Sequence, residues 1–340
     1  MDDVSLRLSR PTSFNVTPQP DTSSARALVL SSIKAALPKN SAPLGQAALH
    51  HFEDTGKMLR AGLALATGQA LKINPETCLN WATAIEVMHN ASLVHDDISD
   101  GDTLRRDRPS IWAAFGRDTA LALGDWLIGL SFEFAAKAAV SSRSPELVTV
   151  LSYHMKDTTS GQAMEFELTH YPEWNDYLKI IRGKTAPLFI APVEGMARVA
   201  GRDDLVKPVA DYFNAVGTAY QVANDILNIL GEDGALSPAS DLIRRAPNGV
   251  IVSFRNTLMG DDAEDFDRWL ATGDHHGAHH WHERILSSSA ISITCELMRG
   301  ILRDAERKAS TIPDELSHIV EPVQKLLTSV CEQSIQHAAE

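Results

Sequence analysis

The chain has 340 residues, enough for one large domain or two, and 44% of them are apolar, ample for a core. Its net charge of −13 argues against nucleic acid and anionic membrane surfaces as partners, and its three cysteines (Cys78, Cys295, Cys331), odd in number and widely spaced, suggest neither a disulfide framework nor a zinc site. No secretory signal pattern opens the chain, and Asp125 breaks the longest apolar run, Ala120 to Leu130, so no membrane span is expected and a reducing, cytoplasmic compartment is the default.

Residues 1–24 are rich in Ser, Thr and Pro and are expected to be disordered or loosely docked, ahead of a single all-helical domain over 25–340. From Ala25 onward Ala, Leu, Ile and Met recur at three- and four-residue spacing, without sustained strand alternation. Breaks are predicted near Pro38 to Pro43, Asn74-Pro75, Arg108-Pro109, Ser142 to Pro145, Tyr171-Pro172, Gly231 to Pro238 and Ala246 to Gly249, giving roughly a dozen helices. Segments 82–95, 119–138 and 206–230 are apolar on most faces and should be central. Residues 260–285 turn acidic and then His-rich (His275, His276, His279, His280, His282), which reads as an exposed loop and helix start. The pattern there lacks the partner ligands of a known zinc arrangement.

The most informative local feature is the run Asp96-Asp97-Ile98-Ser99-Asp100-Gly101-Asp102, followed by Arg105 and Arg106. Helical spacing puts Asp96 and Asp100 on one face, a turn apart, where like charges repel unless a cation lies between them. Oxygen-only ligands suit Mg²⁺, which binds through one or two carboxylates plus substrate phosphates. The arginines then read as phosphate clamps. The plain alternative is a solvated acidic helix end.

Weaker signals lie on either side. Lys57 and Arg60, in Gly56-Lys57-Met58-Leu59-Arg60, are a turn apart, and His89 lies two turns before Asp96. Gln162 and Glu165 form a polar pair in an apolar helix, Lys184-Thr185 follows Arg182, and Gln221 to Asn228 set polar groups into another apolar helix. Alone, each is compatible with an ordinary surface or satisfied core position.

In this order, from about Leu44 to Asp241, the motifs resemble the trans-isoprenyl diphosphate synthases of the polyprenyl synthetase family. Asp96, Asp97 and Asp100 match its first DDxxD motif, Arg105 and Arg106 the following arginine pair, and Ala122-Leu123-Gly124-Asp125 is family-like. The resemblance implies an isoprenoid-synthase-type helical bundle around a central apolar cavity, usually a homodimer, acting on prenyl diphosphates with Mg²⁺, three ions with bound diphosphate. It implies that Lys57, Arg60, His89 and Arg106 hold the diphosphate of isopentenyl diphosphate, with Gln162 also on the substrate. Asp96, Asp100 and Glu165 match metal ligands; Arg105, Lys184, Thr185 and Gln221 match the allylic-donor side. Such chemistry needs stabilisation of a leaving diphosphate, a dry apolar cavity and an oriented double bond, but no side-chain nucleophile.

The second motif departs from the pattern. Where the family reads DDxxD, the chain reads Asn224-Asp225-Ile226-Leu227-Asn228. An Asn carbonyl can ligate Mg²⁺ but brings no charge, so weaker binding there is expected. The lysines that relatives carry beyond this motif are missing; near Asp241 their places hold Ser237 and Ala246, with Arg244 and Arg245 close by. Asn224, Asn228 and Glu232, spaced by four and four, also resemble the metal triad of class I terpene cyclases. Three alternatives to elongation therefore stay open: a cyclase, a prenyltransferase with an aromatic acceptor such as an indole phosphate, and a non-catalytic regulatory subunit. Finally, in the family the growing tail runs down the helix of the first motif. Ala91 and Ser92 are small there, which leaves room for a geranylgeranyl or longer product, with Met88 as a candidate floor; the alternative is that small residues only permit close helix packing.

Overall fold

The computed structural model of the protein describes residues 22–168, 170–232, 238–272 and 277–339. The N-terminal segment expected to be loose lies, up to residue 21, outside the described residues. In chain order the elements are α1 (Thr22–Ala36), α2 (Gly45–His51), α3 (Leu59–Ala70), α4 (Pro75–Asp100), a hairpin of β1 (Leu104–Arg105) and β2 (Arg108–Pro109), α5 (Ile111–Phe115), α6 (Arg117–Ser142), α7 (Glu146–Phe166), α8 (Trp174–Thr185) and α9 (Pro187–Val199). A short 3₁₀ turn precedes α10 (Val206–Leu230), followed by α11 (Ser240–Arg244), α12 (Gly249–Arg255), α13 (Asp261–Thr272), α14 (Ala278–Leu286), α15 (Ala290–Ala309) and α16 (Asp314–His337). The all-α expectation holds, with the two-residue strands as the only sheet among the described residues.

There are sixteen α-helices among the described residues where a dozen were expected. The surplus comes from pieces such as α2, α5, α11 and α12, five to seven residues long, too short to display a period. The predicted breaks mark real boundaries. Asn74 caps α4 by accepting from the Glu76 amide (2.8 Å) with Pro75 in the first turn, and Gly101 closes the helix in the left-handed region (φ 71°).

The helices expected to be central are central. α4 lies along α6, and its inner face (Trp81, Ala84, Ile85, Met88, Ala91) joins Leu123, Leu127 and Phe134 in one core, with α1 and α3 completing it. α10 packs on α15, α16, α8 and α9 and feeds two further cores, one around Tyr177, Ile226 and Phe254, the other around Phe189, Tyr212 and Phe213. α6 is long and apolar enough to cross a bilayer by length and composition, a test that core helices also pass. Its packed side is buried against α4. All three cysteines are buried and unpaired.

Region 260–285 corrects the sequence reading of an exposed loop. α13 and α14 set Phe266, Trp269 and Trp281 into the second core, where Phe266 and Trp281 rings meet at 4.7 Å. Helical spacing hidden among charged residues explains it: 266, 269 and 270 share one face, as do 278, 281 and 285. His282 caps the Ile229 carbonyl (2.8 Å), while His279 and His280 are exposed. His275 and His276 lie outside the described residues.

Candidate active site

Four aspartates crowd the C-terminal end of α4 and its cap, the negative end of the helix dipole, with no basic residue in the last turn. Helix energetics disfavours this placement, by a few tenths to about 1 kcal/mol per charge. Cations from elsewhere gather on it. Lys184 and Arg105 act electrostatically on Asp96, and Arg244 reaches Asp100 (Nη1 to Oδ1, 3.2 Å). Burial, opposed by Lys184 and reinforced by Asp100, pushes the Asp96 carboxyl up to about 7. A divalent cation between Asp96 and Asp100 would reverse that, and two carboxylates completed by substrate phosphate suit Mg²⁺. Among the described residues no three His, Cys, Asp or Glu side chains converge to hold an ion unaided.

Asp97 separates from its two neighbours in the motif. It is 1% exposed and ion-paired with Arg105, so it positions that arginine and does not join Asp96 and Asp100. Arg105 and Arg106 sit on the hairpin, a feature sequence reading missed. Arg105 pairs with Arg108, and the two connecting residues, Arg106 (φ 54°) and Asp107 (φ 62°), are both left-handed, as in a type I′ turn. Without Gly or Asn at the first of these positions, the turn holds Arg106 at a backbone cost of about 1–2 kcal/mol. Leu104 to Pro109 is too short a stretch to show strand alternation.

The hairpin delivers the arginines to the α2–α3 turn. Arg106 donates to the Asp54 carbonyl and spreads over Gly56, where an added Cβ would lie 3.0 Å from the guanidinium carbon and where φ is +60°. Only glycine suits both demands. Lys57 is exposed on that turn. Arg60 stands 4.2 Å over the Phe189 ring and donates to His89 Nε2 (3.1 Å). Burial, then the Arg60, Arg106 and Arg105 charges, hold His89 well below its usual range. The imidazole is therefore neutral, and because Nε2 accepts from Arg60, its proton is assigned to Nδ1. Under Arg60 lies Glu86, 2% exposed, accepting from the Ala61 amide (3.1 Å). Glu86 was missed; its signal was an acid in the apolar face of α4, three residues before His89. Between His51, Asp54, Asp97 and the hairpin arginines remains a cavity of about 20 Å³, room for a single water.

Across the site, α7 and α8 touch backbone to backbone. A Cβ on Gly161 would lie 2.5 Å from the Gly183 carbonyl carbon, so the pair of glycines allows this crossing. It brings Lys184 Nζ to Glu165 Oε2 (2.5 Å) and leaves the buried Gln162 Nε2 without a partner. Pro187 opens α9 and ends α8 at Thr185, so Lys184 and Thr185 sit at a helix end next to Gly217 of α10.

The second motif behaves otherwise than its spacing suggests. α10 ends at Leu230 and Gly231 adopts φ 76°, so Glu232 lies beyond the helix and is not on the face of Asn224 and Asn228. Gly231 closes α10 as a left-handed cap, with the Glu232 amide bonded back to the Leu227 carbonyl (2.8 Å). The three-residue metal triad read from spacing is thereby broken. Asn228 is 5% exposed; its Nδ2 donates to Ser240 Oγ (2.8 Å) and its Oδ1 accepts from the Asp241 amide (3.2 Å). Gln221, expected on the donor, gives its Nε2 to Asp225 Oδ1 (3.2 Å). Asn224 is half-buried and neutral. Ala91 is 1% exposed on the α4 side that meets α6, and Ser92 bonds the His89 carbonyl (2.8 Å).

The polyprenyl synthetase family model matches residues 41–272. The chain is 31% identical over 222 residues to a short chain isoprenyl diphosphate synthase of Methanocaldococcus jannaschii, covering 64% of this chain and 68% of that one. It is 32% identical over 228 residues to a geranylgeranyl diphosphate synthase of Saccharolobus solfataricus, covering 65% and 68%. Among solved structures, a decaprenyl diphosphate synthase from Rhodobacter capsulatus superposes with a TM-score of 0.79 over 92% of this chain and 97% of its own, at 22% identity, a likeness of fold alone.

Proposed function

The chain belongs to the polyprenyl synthetase family, and from that premise we propose that it is a Mg²⁺-dependent trans-prenyltransferase. It joins an allylic prenyl diphosphate to isopentenyl diphosphate and releases geranylgeranyl diphosphate or a longer homologue. The observation that carries the reading is the sharing of α4. Its C-terminal turn presents Asp96 and Asp100, and two turns back, roughly 10 Å along the axis, His89 joins Arg60. One helix thus separates a metal–diphosphate end from a basic pocket for a second phosphorylated substrate.

Mg²⁺ bound by Asp96 and Asp100 would supply positive charge to the departing diphosphate. Lys184 lies beside both carboxylates and meets that diphosphate from the α8 side. The allylic C–O bond breaks with its electron pair leaving on the diphosphate. Arg60, Lys57 and Arg106 hold the acceptor diphosphate so that its double bond faces the allylic carbon. Neutral His89 donates from Nδ1 without adding charge. The double bond's electron pair forms the new C–C bond to the allylic carbon and leaves a tertiary cation. A proton lost from the adjacent carbon goes to the released diphosphate and restores a double bond, which leaves no acidic or nucleophilic role for a side chain.

We read the assembly as a homodimer through α6. Ala122, Gly129 and Ala136 recur every seven residues on its exposed side, flanked by Leu121 (43% exposed) and Val140 (79% exposed). That surface suits a second helix at close approach. The cyclase alternative loses support because Glu232 lies off α10, and the regulatory alternative because the first motif is whole. Steady-state kinetics of Arg60→Ala tests the proposal: the KM for isopentenyl diphosphate should rise at least tenfold with the donor KM within about twofold. Full activity of this variant on a prenyl diphosphate alone, unchanged by isopentenyl diphosphate, would overturn it.

A further inference from the structure

The second motif does not fit a metal site. The Asp225 carboxylate is 2% exposed; its Oδ2 accepts from Tyr177 Oη (2.5 Å) and the Gly249 amide (2.7 Å), and its Oδ1 from Gln221. Asn228 is committed to the start of α11. These groups tie α8, α10, α11 and α12 together, and Asn224 offers only a neutral amide. A hard dication loses both charge and free oxygens there relative to a carboxylate pair.

A cation stands in the gap nonetheless. Arg244, the last residue of α11, reaches the first motif with Nη1, donating to the Asp100 carbonyl (2.7 Å) and facing Asp100 Oδ1 (3.2 Å). Its Nη2 donates to Asp241 Oδ1 (2.8 Å). Asp241 is itself fixed by Asn248 Nδ2 on Oδ2 (2.9 Å). The guanidinium therefore bridges the end of α4 and the segment after α10, and its Nε is buried without a partner. An arginine so anchored keeps its charge at any working pH and keeps a donor for an anion.

Resting on the reading of the site as a prenyl diphosphate centre, we infer that Arg244 replaces the metal ion of the second motif. Divalent ions bind at the first motif only, and the donor diphosphate meets a fixed guanidinium on its far side. The loss of carboxylates at Asn224 and Asn228 and the presence of Arg244 are then one change: a dication with its ligands is exchanged for a tethered monocation. The site becomes less demanding of Mg²⁺ and less adjustable in geometry.

The test counts Mn²⁺ per chain by electron paramagnetic resonance at saturating inorganic diphosphate, with no acceptor present. The expected count for the full chain is one fewer than the three ions that the family pattern implies, and Asp96→Asn should lower it further. Calorimetry of inorganic diphosphate at excess Mg²⁺ should show a loss of about tenfold or more for Arg244→Ala, the scale of a lost charged hydrogen bond. Arg244→Lys should recover part of it, which separates a charge effect from damage to α11, checked in parallel by far-ultraviolet circular dichroism. A full count of three in the unaltered chain, or unchanged diphosphate affinity in folded Arg244→Ala, overturns the inference. Neither readout needs elongation, so a chain that fails to elongate yet gives these results would remove the proposed function and keep this inference about metal and diphosphate.

Discussion

At the scale of single residues the site is a set of charges held against local preference. Asp96 and Asp100 sit at the wrong end of a helix dipole, and Asp96 is pushed up to about 7 by burial. Lys184, Arg105 and Arg244 face these acids from other elements, and a bound cation would add to that compensation. Asp96→Asn should therefore lower turnover by about 10²–10³-fold, the range for a group that stabilises developing charge, as measured by diphosphate release at saturating donor and acceptor. Near-native turnover would remove the first motif from the chemistry. Asp225 has a different fate. Burial and Asp241 raise its carboxyl to about 7, against an ordinary value of 3.8. The folded chain then holds this proton more tightly than the unfolded one. Its contribution to stability is full at the lowest pH and fades as pH rises from about 4 through 7. Asn at position 225 can rotate its amide to keep accepting from Tyr177 and Gly249. Thermal unfolding at pH 5 and pH 8 should show a smaller drop for Asp225→Asn than for the unaltered chain; an equal drop in both means that Asp225 is ionised in the fold throughout. Which polar groups gather around the end of α4 was largely legible in the sequence, because acids and bases inside apolar helices stand out. What each one touches was not. Asp97 looked equal to Asp96 and Asp100 but serves Arg105, and Asn228 looked like a ligand but holds the Asp241 amide.

At the scale of elements, long helices with caps are read well from sequence because period, cap and breaker agree, as in α4 with Asn74, Pro75 and Gly101. Short elements escape because one turn has no period. The hairpin over Leu104 to Pro109 is the costliest omission, since it carries both arginines of the motif. Its left-handed Asp107 offers a check: Asp107→Gly removes a backbone cost without touching Arg105 or Arg106, and should raise stability by about 0.5–1 kcal/mol, read from denaturant unfolding. A decrease would mean that the Asp107 side chain supports the turn. The α4–α6 contact sets a second check. Ala91 is buried where these helices meet, on the side along which the tail is proposed to run. Ala91→Phe should shorten the product by at least one isoprenoid unit, seen by chromatography of dephosphorylated products. Unchanged lengths with reduced stability would make Ala91 a packing residue alone, since overfilling a core costs about 1–3 kcal/mol.

At the scale of the whole molecule, the order of motifs from Leu44 to Asp241 was enough to place the chain in its family, and the matched span of 41–272 agrees. Sequence order could not reveal that Arg244 closes onto Asp100 across 144 residues, because that contact depends on how α10, α11 and α4 pack. Nor could it show that the acidic and histidine-bearing stretch after 260 forms two helices on the second core. The central claim is that the C-terminal turn of α4 releases a diphosphate while the pocket two turns back along the same helix holds a phosphorylated acceptor. Its most direct measurement is product analysis after incubating the full chain with Mg²⁺ and farnesyl diphosphate, with and without isopentenyl diphosphate. The account predicts a longer prenyl diphosphate only when isopentenyl diphosphate is present. A hydrocarbon or alcohol formed from farnesyl diphosphate alone, at a rate indifferent to the second substrate, would contradict it.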